Sequence, residues 1–450
     1  MYSKIQIFLK INKVKLLEYV RFDSKFASAV LFAVYLLKYY TVKNLSGKYK
    51  ALIIASDIYR HINLPFAKDF ATKLLKRLIK KDGINKIGVE IFNIVSEDID
   101  PELLVKLQNS IKNNDNINPF DKRLLILSPP LDDQKGVIIV KFSDYFKYVR
   151  KIFDMKKLSQ DYVLIAEPSS IGFFDLDLLC LINENMTVIV ETQEPVDQKF
   201  IKNLNVNLFT TDIGANCWVD NRVFFPIKTV KKKFDVIMVS IFADVKRHYH
   251  LFESLKKCKD KLKVALVGVS WPKSMEEIAN EARYYGVRDQ ITFFEGVSQE
   301  KINLLLNESK CFLLLSKKEG SNKAGIEALF SNIPAFYIKG YNYGHQYSFI
   351  NSTTGGFIEP NKLTYFLDNL DELIDNNIFS PHEWVSNHQT PVTSADIIIK
   401  LLKEIEINKS IKINKELLIK INNPDLDYFD NKAWVEMKPY YARFKNYFIE

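Results

Sequence analysis

Short apolar runs alternate with polar and helical stretches along most of the chain after residue 120, and this pattern predicts parallel β-sheets. Strands of a parallel sheet are covered by helices on both faces, so they are apolar along their whole length. Two successive series of runs fit this description. They are residues 124–127, 137–140, 162–166, 187–190 and 207–210, followed by 234–240, 262–268, 291–294, 311–315 and 334–338.

Residues 275–285, 299–307 and 325–330 carry apolar side chains at helical spacing between strands of the second series. The two series repeat an architecture without a repeated sequence. We therefore predict an α/β fold of two Rossmann-like parallel-sheet domains facing across a cleft. In such folds ligands bind at the carboxyl ends of the strands.

The predicted junction lies near Phe225-Pro226 and the basic segment 228–233. It gives an N-terminal domain at 1–228, which includes a helical N-terminal extension, and a C-terminal domain at 229–425. Residues 426–450 form an aromatic-rich tail that we expect to be helical, with packing on the N-terminal domain as one option. An Asn-rich stretch at 109–119 is typical of a polar loop.

The front of the chain has a less regular pattern. Residues 1–45 and 64–81 are predicted to be helical, and 50–55 and 86–92 are predicted strands. The apolar run 26–37 is too short to cross a bilayer, which takes about 20 residues. We expect a buried helix there, with a helix lying on a membrane as the alternative. The same two options apply to the amphipathic basic segment 141–158, where a helix covering the sheet is favoured.

The composition is that of an ordinary globular protein. The 450 residues exceed a typical single core, 47% are hydrophobic, and 26% are charged. The net charge of +9 is spread along the chain rather than gathered in one patch, which argues against nucleic acid as a partner. Four scattered cysteines without a Cys-x-x-Cys pair, and no signal-peptide pattern, predict free thiols in a reducing cytoplasm.

The strongest candidate chemistry lies at 316–329, between the strand 311–315 and a helix beginning near Gly325. Two carboxylates, Glu319 and Glu327, bracket a loop of small residues that leads into the helix. Free backbone N–H groups and the helix dipole favour a phosphate at such a point. Carboxylates beside an anion site suit a ligand with both phosphates and hydroxyls, such as a nucleotide sugar. A strand–turn–helix unit with solvated charges is the alternative.

In its second half the chain resembles the family 4 retaining glycosyltransferases, which have the GT-B fold. The resemblance rests on the order and spacing of several segments: a strand followed by Lys246-Arg247 and a helix, a strand ending in Gly268, the Gly-Val…Phe-x-Gly-Val segment 286–297, the Glu-x7-Glu pair Glu319 and Glu327, and Pro334 with Thr354–Phe357. Trp218-Val-Asp220 with Phe224 and Pro226 resembles the family's segment at the domain crossover. The resemblance then implies an acceptor-side domain at 1–228 and a nucleotide-sugar-binding domain at 229–425.

The resemblance implies a role for each matching residue. Glu319 and Lys246 would be catalytic: Glu319 holds donor-sugar hydroxyls and Lys246 neutralises the leaving diphosphate. Glu327 would accept from the ribose. The other implied donor contacts are Gly320, Ser321, Asn322, Lys323, Ala324, Gly268, Gly296 and Val297. Gly136 could form a glycine turn that faces the donor phosphate, or an ordinary turn.

The sequence departs from the family pattern twice. The usual Arg, about six residues before the lysine, is replaced near Ser240, and we expect Arg247 or Lys323 to supply its charge. Lys323 lies inside the phosphate-facing loop, and we predict that it is a phosphate ligand; the alternative is a solvent-facing lysine.

The family's N-terminal histidine is also absent, since His61 is not in a corresponding loop. Glu191 or Glu194 could take its place, the leaving diphosphate could accept the proton itself, or the carboxylates could only cap a helix. The loop 167–175 is the candidate acceptor contact, with a plain strand–helix connection as its alternative. His248 and His250 are expected to be surface or packing residues.

These observations predict a metal-independent glycosyltransferase without a cofactor. Its donor would be a nucleoside diphosphate sugar and its acceptor a glycan or lipid-linked hydroxyl, with retention of configuration. The expected setting is bacterial polysaccharide, glycan or glycolipid synthesis in the cytoplasm, with contact to the inner face of a membrane left open. A nucleotide-sugar epimerase and a non-catalytic GT-B subunit are the alternatives.

Overall fold

The computed structural model describes residues 4–41, 47–112, 119–168, 172–183, 185–341, 347–376, 379–423 and 425–449. Most of the Asn-rich stretch predicted as a loop, and residues 169–171 of the predicted acceptor loop, lie outside these ranges. The first half of the chain contains α1 (Lys4–Glu18), α2 (Lys25–Thr41), α3 (Gly47–His61), α4 (Pro65–Asp82), α5 (Ile84–Ser96), α6 (Pro101–Lys112), β1 (Leu124–Ser128), β2 (Gly136–Lys141), α7 (Ser143–Ile152), α8 (Met155–Asp161), β3 (Tyr162–Glu167), α9 (Leu176–Leu179), β4 (Val188–Glu191), α10 (Pro195–Leu204) and β5 (Leu208–Thr211).

The second half continues the alternation of strands and helices and ends in a hairpin and a helix. Its elements are β6 (Phe234–Val239), α11 (His248–Leu255), β7 (Val264–Gly268), α12 (Met275–Tyr285), β8 (Ile291–Glu295), α13 (Gln299–Asn307), β9 (Ser309–Leu314), α14 (Lys323–Phe330), β10 (Ala335–Ile338), β11 (Gly355–Ile358), α15 (Leu363–Asp368), α16 (Leu370–Asp375), α17 (Pro381–His388), α18 (Pro391–Lys409), β12 (Lys420–Asn423), β13 (Asp425–Tyr428) and α19 (Ala433–Arg443).

The chain divides into two compact units, each made of two segments. Unit 1 comprises Met1–Asp23 and Val219–Thr390, and unit 2 comprises Ser24–Trp218 and Pro391–Glu450. This partition differs from the predicted domains. The first helix belongs with the second half of the chain, because Lys10 and Lys15 of α1 pair with Glu277 and Glu253 there.

Unit 1 contains a parallel six-stranded sheet in the order β11-β10-β9-β6-β7-β8. Alternate residues of its strands face two different cores. Val236 and Met238 belong to one apolar cluster and Ile237 to the other, so both faces of the sheet are covered. From β6 the chain adds strands on one side, and from β9 it adds them on the other.

Unit 2 contains a five-stranded sheet in the consecutive order β1-β2-β3-β4-β5. Strands β2 to β5 are parallel, and β1 runs antiparallel to β2. The tail covers the outer edge of β1: the Ile126 N–H donates to the Tyr441 hydroxyl (3.1 Å), and the Tyr428 hydroxyl donates to the Ile126 carbonyl (2.8 Å). These bonds occupy backbone groups that an edge strand otherwise leaves unpaired.

The two Rossmann-like α/β sheets confirm the predicted fold class, and all ten strands of the two regular series are present. Two early strand predictions are wrong. Residues 50–55 lie in α3 and residues 86–92 lie in α5. A short apolar run has the same appearance in a buried strand and on the buried side of a helix, and Leu52, Ala55, Ile87 and Ile91 are all buried on helix faces.

The apolar run 26–37 lies in α2, and the expectation of a buried helix is wrong. Ser28 is the buried residue of α2, whereas Phe26 is 80% exposed and Leu37 is 65% exposed. The other ambiguous segment, 141–158, contains a helix that covers the sheet, which confirms the favoured option. Phe146, Val149 and Phe153 are buried, and α7 packs against β2 and β3.

Candidate functional site

The site of unit 1 follows from the strand order of its sheet. Strands β6 and β9 are neighbours, and the chain leaves them towards opposite sides of the sheet. At such a reversal the loops after the two strands diverge and leave a crevice at the carboxyl edge, where ligands bind in open α/β sheets. Lys246 follows β6 and Glu319 follows β9. Two residues predicted to be catalytic therefore lie at this point.

Lys246 and Glu319 form a direct ion pair between these two loops. Both side chains are largely shielded, with 13% of Lys246 and 10% of Glu319 exposed. The pair joins residues that are 73 positions apart in the sequence. The structure thus brings together the lysine that is predicted to bind the diphosphate and the glutamate that is predicted to bind the sugar. Each of the two charges therefore has a partner when no donor is bound.

The loop after β9 ends in a capped helix N-terminus. The Asn322 carboxamide oxygen accepts from the Gly325 N–H (2.8 Å) and from the Tyr337 hydroxyl (3.2 Å). Gly325 must be a glycine, because a Cβ there would overlap the Tyr337 hydroxyl. Upstream, the Gly320 carbonyl accepts from the Tyr347 hydroxyl (2.7 Å). Gly320, Ser321, Asn322 and the first residues of α14 therefore lie in one loop fixed by tyrosines beneath it.

Glu327 lies in the second turn of α14 and is buried. Lys323, the first residue of this helix, places its Nζ 3.3 Å from Glu327 Oε1. Glu327, which is predicted to bind the ribose, therefore already has a cationic neighbour. Ala324, another predicted donor contact, follows Lys323 on the same helix. Lys323 remains 26% exposed at its side chain, so it has not been drawn into the core.

Three further predicted contacts lie at the same edge of the sheet. Gly268 is the last residue of β7, and its carbonyl accepts from the Gly296 N–H (2.9 Å) just after β8. A Cβ on Gly268 would overlap the Ser240 carbonyl, which follows β6. Gly296 has φ +61°, a left-handed conformation that favours glycine. Val297 follows Gly296, so the structure brings together Gly268, Gly296 and Val297, which are three of the predicted donor contacts.

Arg247 has a different role from the one that the sequence suggested. Its guanidinium is buried and donates to Glu18 Oε2 (3.1 Å) and to the Leu315 carbonyl (3.1 Å). The Tyr249 hydroxyl donates to the same Glu18 oxygen (2.7 Å). Arg247 thus fastens α1 to the end of β9, and its charge is neutralised there rather than available to replace the missing Arg.

A second charged group, which was not predicted from the sequence, lies beside the loop after β9. Lys317 is buried and pairs with Asp23, and its Nζ lies 5.2 Å from the centre of the Tyr341 ring. The Tyr341 hydroxyl also donates to Asp23 (2.7 Å). A signal was present in the sequence, because Glu18 and Asp23 are the two carboxylates of an otherwise basic N-terminal segment of 41 residues.

His248 and His250 lie in α11. Burial lowers the pKa of each to about 3, and for His248 the cations of Lys273 and Lys246 act in the same direction. Both imidazoles are neutral packing groups at physiological pH. His248 Nε2 lies 3.4 Å from the Ser240 hydroxyl, at the position where the family pattern has Arg.

In unit 2 the carboxyl ends of β2, β3 and β4 carry Lys141, Glu167 and Glu191, and all three side chains are buried. Lys420, from β12 of the β12–β13 hairpin, pairs with Glu167. Asn422, also from β12, donates to Glu167 Oε1 (3.1 Å). The hairpin therefore provides partners for the charges at the carboxyl edge of this sheet.

Two carboxyls of this cluster differ in pKa. Burial raises the pKa of Glu191 to about 8; Lys420 opposes this shift and the neighbouring Glu167 adds to it. Burial also acts to raise the pKa of Glu167, but Lys420 and Lys141 outweigh it and leave that pKa below its ordinary value. The Trp218 indole donates to Glu191 Oε1 (2.9 Å). Glu191 is therefore mostly protonated at neutral pH. Glu194, its predicted alternative, is buried just before α10.

Gly136 begins β2, at the amino end of that strand. Because β1 is antiparallel, the connection from β1 to β2 lies at the edge of the sheet opposite to Glu191. A Cβ on Gly136 would overlap the Ser128 carbonyl and the backbone of Pro129 and Pro130. The glycine is therefore explained by the close approach of this connection, and the structure does not bring Gly136 together with Glu191.

Three structural properties bear on chemistry and location. Within the described ranges, no group of three or more His, Cys, Asp and Glu side chains is arranged to hold a metal ion. None of the described helices has the length and apolar character needed to cross a membrane. All four cysteines are free thiols.

Part of the chain is similar to a known protein family, and solved structures resemble larger parts of it. Residues 220–390 match the family model "Glycosyl transferases group 1". No curated protein matches the sequence. Similar solved structures include a sucrose-phosphate synthase from Thermosynechococcus elongatus (14% identity, 61% of this chain and 74% of that chain, TM-score 0.47). Another is Anabaena Alr3699/HepE in complex with UDP and glucose (15%, 54% and 72%, TM-score 0.44).

A third structure is the lipopolysaccharide outer core galactosyltransferase WaaB (15% identity, 61% of this chain and 75% of that chain, TM-score 0.41). These TM-scores are below 0.5, so the likeness to known proteins rests on the family model. The matched segment includes Lys246, Glu319 and Glu327 together with the whole parallel sheet of unit 1. Residues 220–390 are therefore similar to the group 1 glycosyl transferases.

Proposed function

We propose that the chain is a glycosyltransferase that moves a sugar from a nucleoside diphosphate donor to a hydroxyl acceptor with retention of configuration. One observation carries the proposal: the Lys246–Glu319 pair lies where the strand order of unit 1 reverses, inside the segment that matches the glycosyl transferases. A cation and a carboxylate at that point match the two chemical halves of such a donor, its diphosphate and its sugar hydroxyls.

Donor binding exchanges the partners of this ion pair. Lys246 moves from Glu319 to the diphosphate, and Glu319 accepts hydrogen bonds from the sugar. The capped N-terminus of α14 supplies N–H groups and a positive dipole end for phosphate oxygens. Glu327 accepts from the ribose while Lys323 offsets its charge. Positioning and charge neutralisation are the main contributions that such a site makes to catalysis.

In the proposed transfer the bond from the anomeric carbon to the diphosphate oxygen breaks, and the electron pair leaves with the diphosphate. The acceptor oxygen bonds to the same carbon on the same face, and its proton passes to the departing diphosphate. Lys246 stabilises the charge that develops on this leaving group. Glu191, mostly protonated and held by Trp218, is a weaker candidate for proton acceptor than the diphosphate.

We place the reaction in bacterial polysaccharide, glycan or glycolipid synthesis, in the cytoplasm and at the inner face of a membrane, with a glycan or lipid-linked acceptor. The proposal needs no metal and no cofactor, because Lys246 supplies the cationic charge at the leaving group. The basic net charge of +9 supports the membrane part of this setting, because it favours contact with an anionic surface.

The test begins with a thermal-shift panel of UDP-, GDP- and ADP-sugars on the full chain. A ligand that binds only the folded state raises the melting temperature. At a ligand concentration of 100 times its Kd, the free energy of unfolding rises by about 2.7 kcal/mol. The donor that stabilises the chain is then used in transfer assays with hydroxyl acceptors. We expect Lys246→Met to lower transfer by about 10² to 10³-fold, as for loss of one charge-stabilising group.

Lys339→Met is the matched control. Lys339 is also in unit 1 and also paired, with Glu359 (2.8 Å), but it is 63% exposed on the surface. Transfer that falls equally in both variants would contradict the proposal. Release of an epimer or free sugar without acceptor would identify the epimerase instead, and donor binding without any product would identify a non-catalytic subunit.

A further inference from the structure

Helix α2 carries a stripe of large apolar side chains on its outer side. Phe26, Val30, Val34, Leu37 and Tyr40 are 80%, 49%, 43%, 65% and 69% exposed. Their spacing of three or four residues puts them on one face of the helix. We call this set the α2 stripe. A continuous apolar face of this kind marks an interaction surface, whereas isolated exposed apolar residues are ordinary.

The opposite face of α2 fixes the helix to unit 2. The Phe32 ring contacts Phe66 and Phe70 of α4 edge-on, with centroids 5.3 and 5.7 Å apart. Tyr39 also meets Phe70, at 6.3 Å. Ser28, on this side, is buried. The α2 stripe therefore projects from a helix that is anchored along its inner face.

The charges of α2 are of one sign. The helix contains Lys25 and Lys38 and no aspartate or glutamate. With 100° per residue, the two lysines fall on either side of the α2 stripe, one near each end of the helix. Long lysine side chains can keep their ammonium groups at a polar boundary while their stems follow an apolar surface. An apolar face bordered by cations fits an anionic lipid interface.

A second copy of this chain fits the α2 stripe less well. In a two-fold dimer the same patch meets itself. An antiparallel pair of α2 helices brings Lys25 of one copy towards Lys38 of the other, and a parallel pair brings each lysine towards its equivalent. Because α2 has no carboxylate, both arrangements place like charges at the borders of the contact.

We propose that the α2 stripe binds the surface of an anionic lipid bilayer. The helix lies in the plane of the interface, with the apolar side chains among the upper acyl chains and Lys25 and Lys38 at the headgroup phosphates. This inference deepens the proposed location at a membrane face and rests on that part of the proposed function only. It does not depend on the transfer reaction.

The test measures binding of the full chain to sedimented vesicles, without nucleotide. The probes are phosphatidylglycerol mixed with phosphatidylcholine, and phosphatidylcholine alone. We expect binding to the anionic vesicles that weakens as salt rises. Phe26→Ser with Leu37→Ser should weaken it at least about tenfold, because two large side chains no longer insert. Lys25→Gln with Lys38→Gln should weaken it on the order of fivefold per lysine.

Ile407→Ser and Val435→Ser are the matched controls, since these residues of unit 2 are 81% and 77% exposed outside α2. They should bind vesicles as the unaltered chain does, and all variants should keep its melting temperature. Three results would overturn the inference. These are no binding to anionic vesicles, binding unaffected by both α2 double variants, and a dimer that Phe26→Ser with Leu37→Ser converts to a monomer. Donor binding is scored separately, so its failure leaves the lipid result interpretable.

Discussion

The two sheets belong to one fold class, yet their carboxyl edges are used differently. In unit 1 the strand order reverses between β6 and β9, and the pair at this point, Lys246 with Glu319, retains some exposure. In unit 2 the strands follow one another in chain order, and the charged residues at the same edge, Glu167 with Lys420, are fully buried. In this molecule the partly exposed pair therefore lies where the loops diverge, and the fully buried pair lies where the strands follow chain order.

The β12–β13 hairpin supplies partners for the buried charge of Glu167 in unit 2. Lys420 supplies a cation to Glu167, and its ammonium lies 4.4 Å from the centre of the Trp218 ring. Asn422 adds hydrogen bonds to Glu167 and to the Ala215 carbonyl. An ion pair taken out of water is stable only when its partners and hydrogen bonds are complete. The pair in unit 2 is therefore a structural element, whereas our proposal has the pair in unit 1 exchange its partners when a donor binds.

The largest expected effect comes from removing the buried cation of unit 2. Lys420→Met leaves Glu167 without its main partner, which should lower the free energy of unfolding by about 3–5 kcal/mol. Chemical denaturation measured by circular dichroism gives this quantity. Lys412→Met is the matched control: Lys412 also lies in the part of unit 2 after residue 390 and pairs with Asp133, but it is 67% exposed, so its loss should leave the free energy of unfolding nearly unchanged. Similar losses in both variants would contradict the comparison.

The sequence predicted the regular part of both sheets because uniformly apolar strands and amphipathic helices have distinct periods there. Helices α12 and α13 have the predicted bounds, and α14 begins two residues early, at Lys323. The same reasoning failed before residue 120, where short apolar runs lie on helices α3 and α5. Their side chains pack against other helices, which period and length alone do not distinguish from strand packing.

The sequence could predict the part of the site whose residues are close together in the chain or directly follow parallel strands. The loop 316–324 and the glycines 268 and 296 fall into this class. The Lys246–Glu319 contact follows only from the strand order, and the binding of Arg247 by Glu18 joins residues 229 positions apart. Lys420 gave a local hint, since it interrupts the apolar run 417–421. Its partner, 253 residues away, was not predictable.

The second expected effect separates two properties of unit 1. Glu319→Gln removes the carboxylate that competes with a diphosphate for Lys246. We expect nucleoside diphosphate to bind about two- to fivefold more tightly, the value of a partly exposed ion pair. Transfer should fall about 10² to 10³-fold, because the sugar loses its charged acceptor. Calorimetry with the nucleotide and transfer assays measure the two changes. Glu359→Gln, which breaks the exposed pair with Lys339, should alter neither.

If Glu319→Gln left both nucleotide binding and transfer unchanged, the pair would be structural in unit 1 as well. The contrast with unit 2 would then be one of exposure alone. Weaker nucleotide binding in Glu319→Gln would show that the carboxylate positions Lys246 rather than competes for it.

The third expected effect is on pH dependence in unit 2. The folded-state pKa of Glu191 is about 8, above its ordinary value of 4.5, so the folded chain keeps a proton that the unfolded chain loses between these values. Stability should therefore fall as pH rises from about 4.5 to about 8, by up to about 1.4 kcal/mol per pH unit for this group. Glu191→Gln, which resembles the protonated acid, should remove this contribution.

The measurement is the difference in unfolding free energy between the unaltered chain and Glu191→Gln across this pH range. The difference cancels the contributions of titrating groups that do not interact with Glu191. The variant should gain relative stability towards pH 8. A difference that does not change with pH would show that Glu191 is ionised in the folded chain, and would restore it as a candidate base.

The smallest expected effect concerns Lys323, whose charge either contacts the donor phosphates or only balances Glu327 (3.3 Å). If Lys323 is a phosphate ligand, Lys323→Ala should weaken the binding of nucleoside diphosphate sugar by about tenfold and leave the binding of the bare nucleoside unchanged. Lys301→Ala, in the first turn of α13, is the matched control and should have no effect. If nucleoside and donor binding fell together, Lys323 would act through Glu327 alone. In that case Lys246 would be the main cation for the diphosphate at the unit 1 edge, and its exchange from Glu319 would supply the charge neutralisation that the resemblance assigns to the absent Arg.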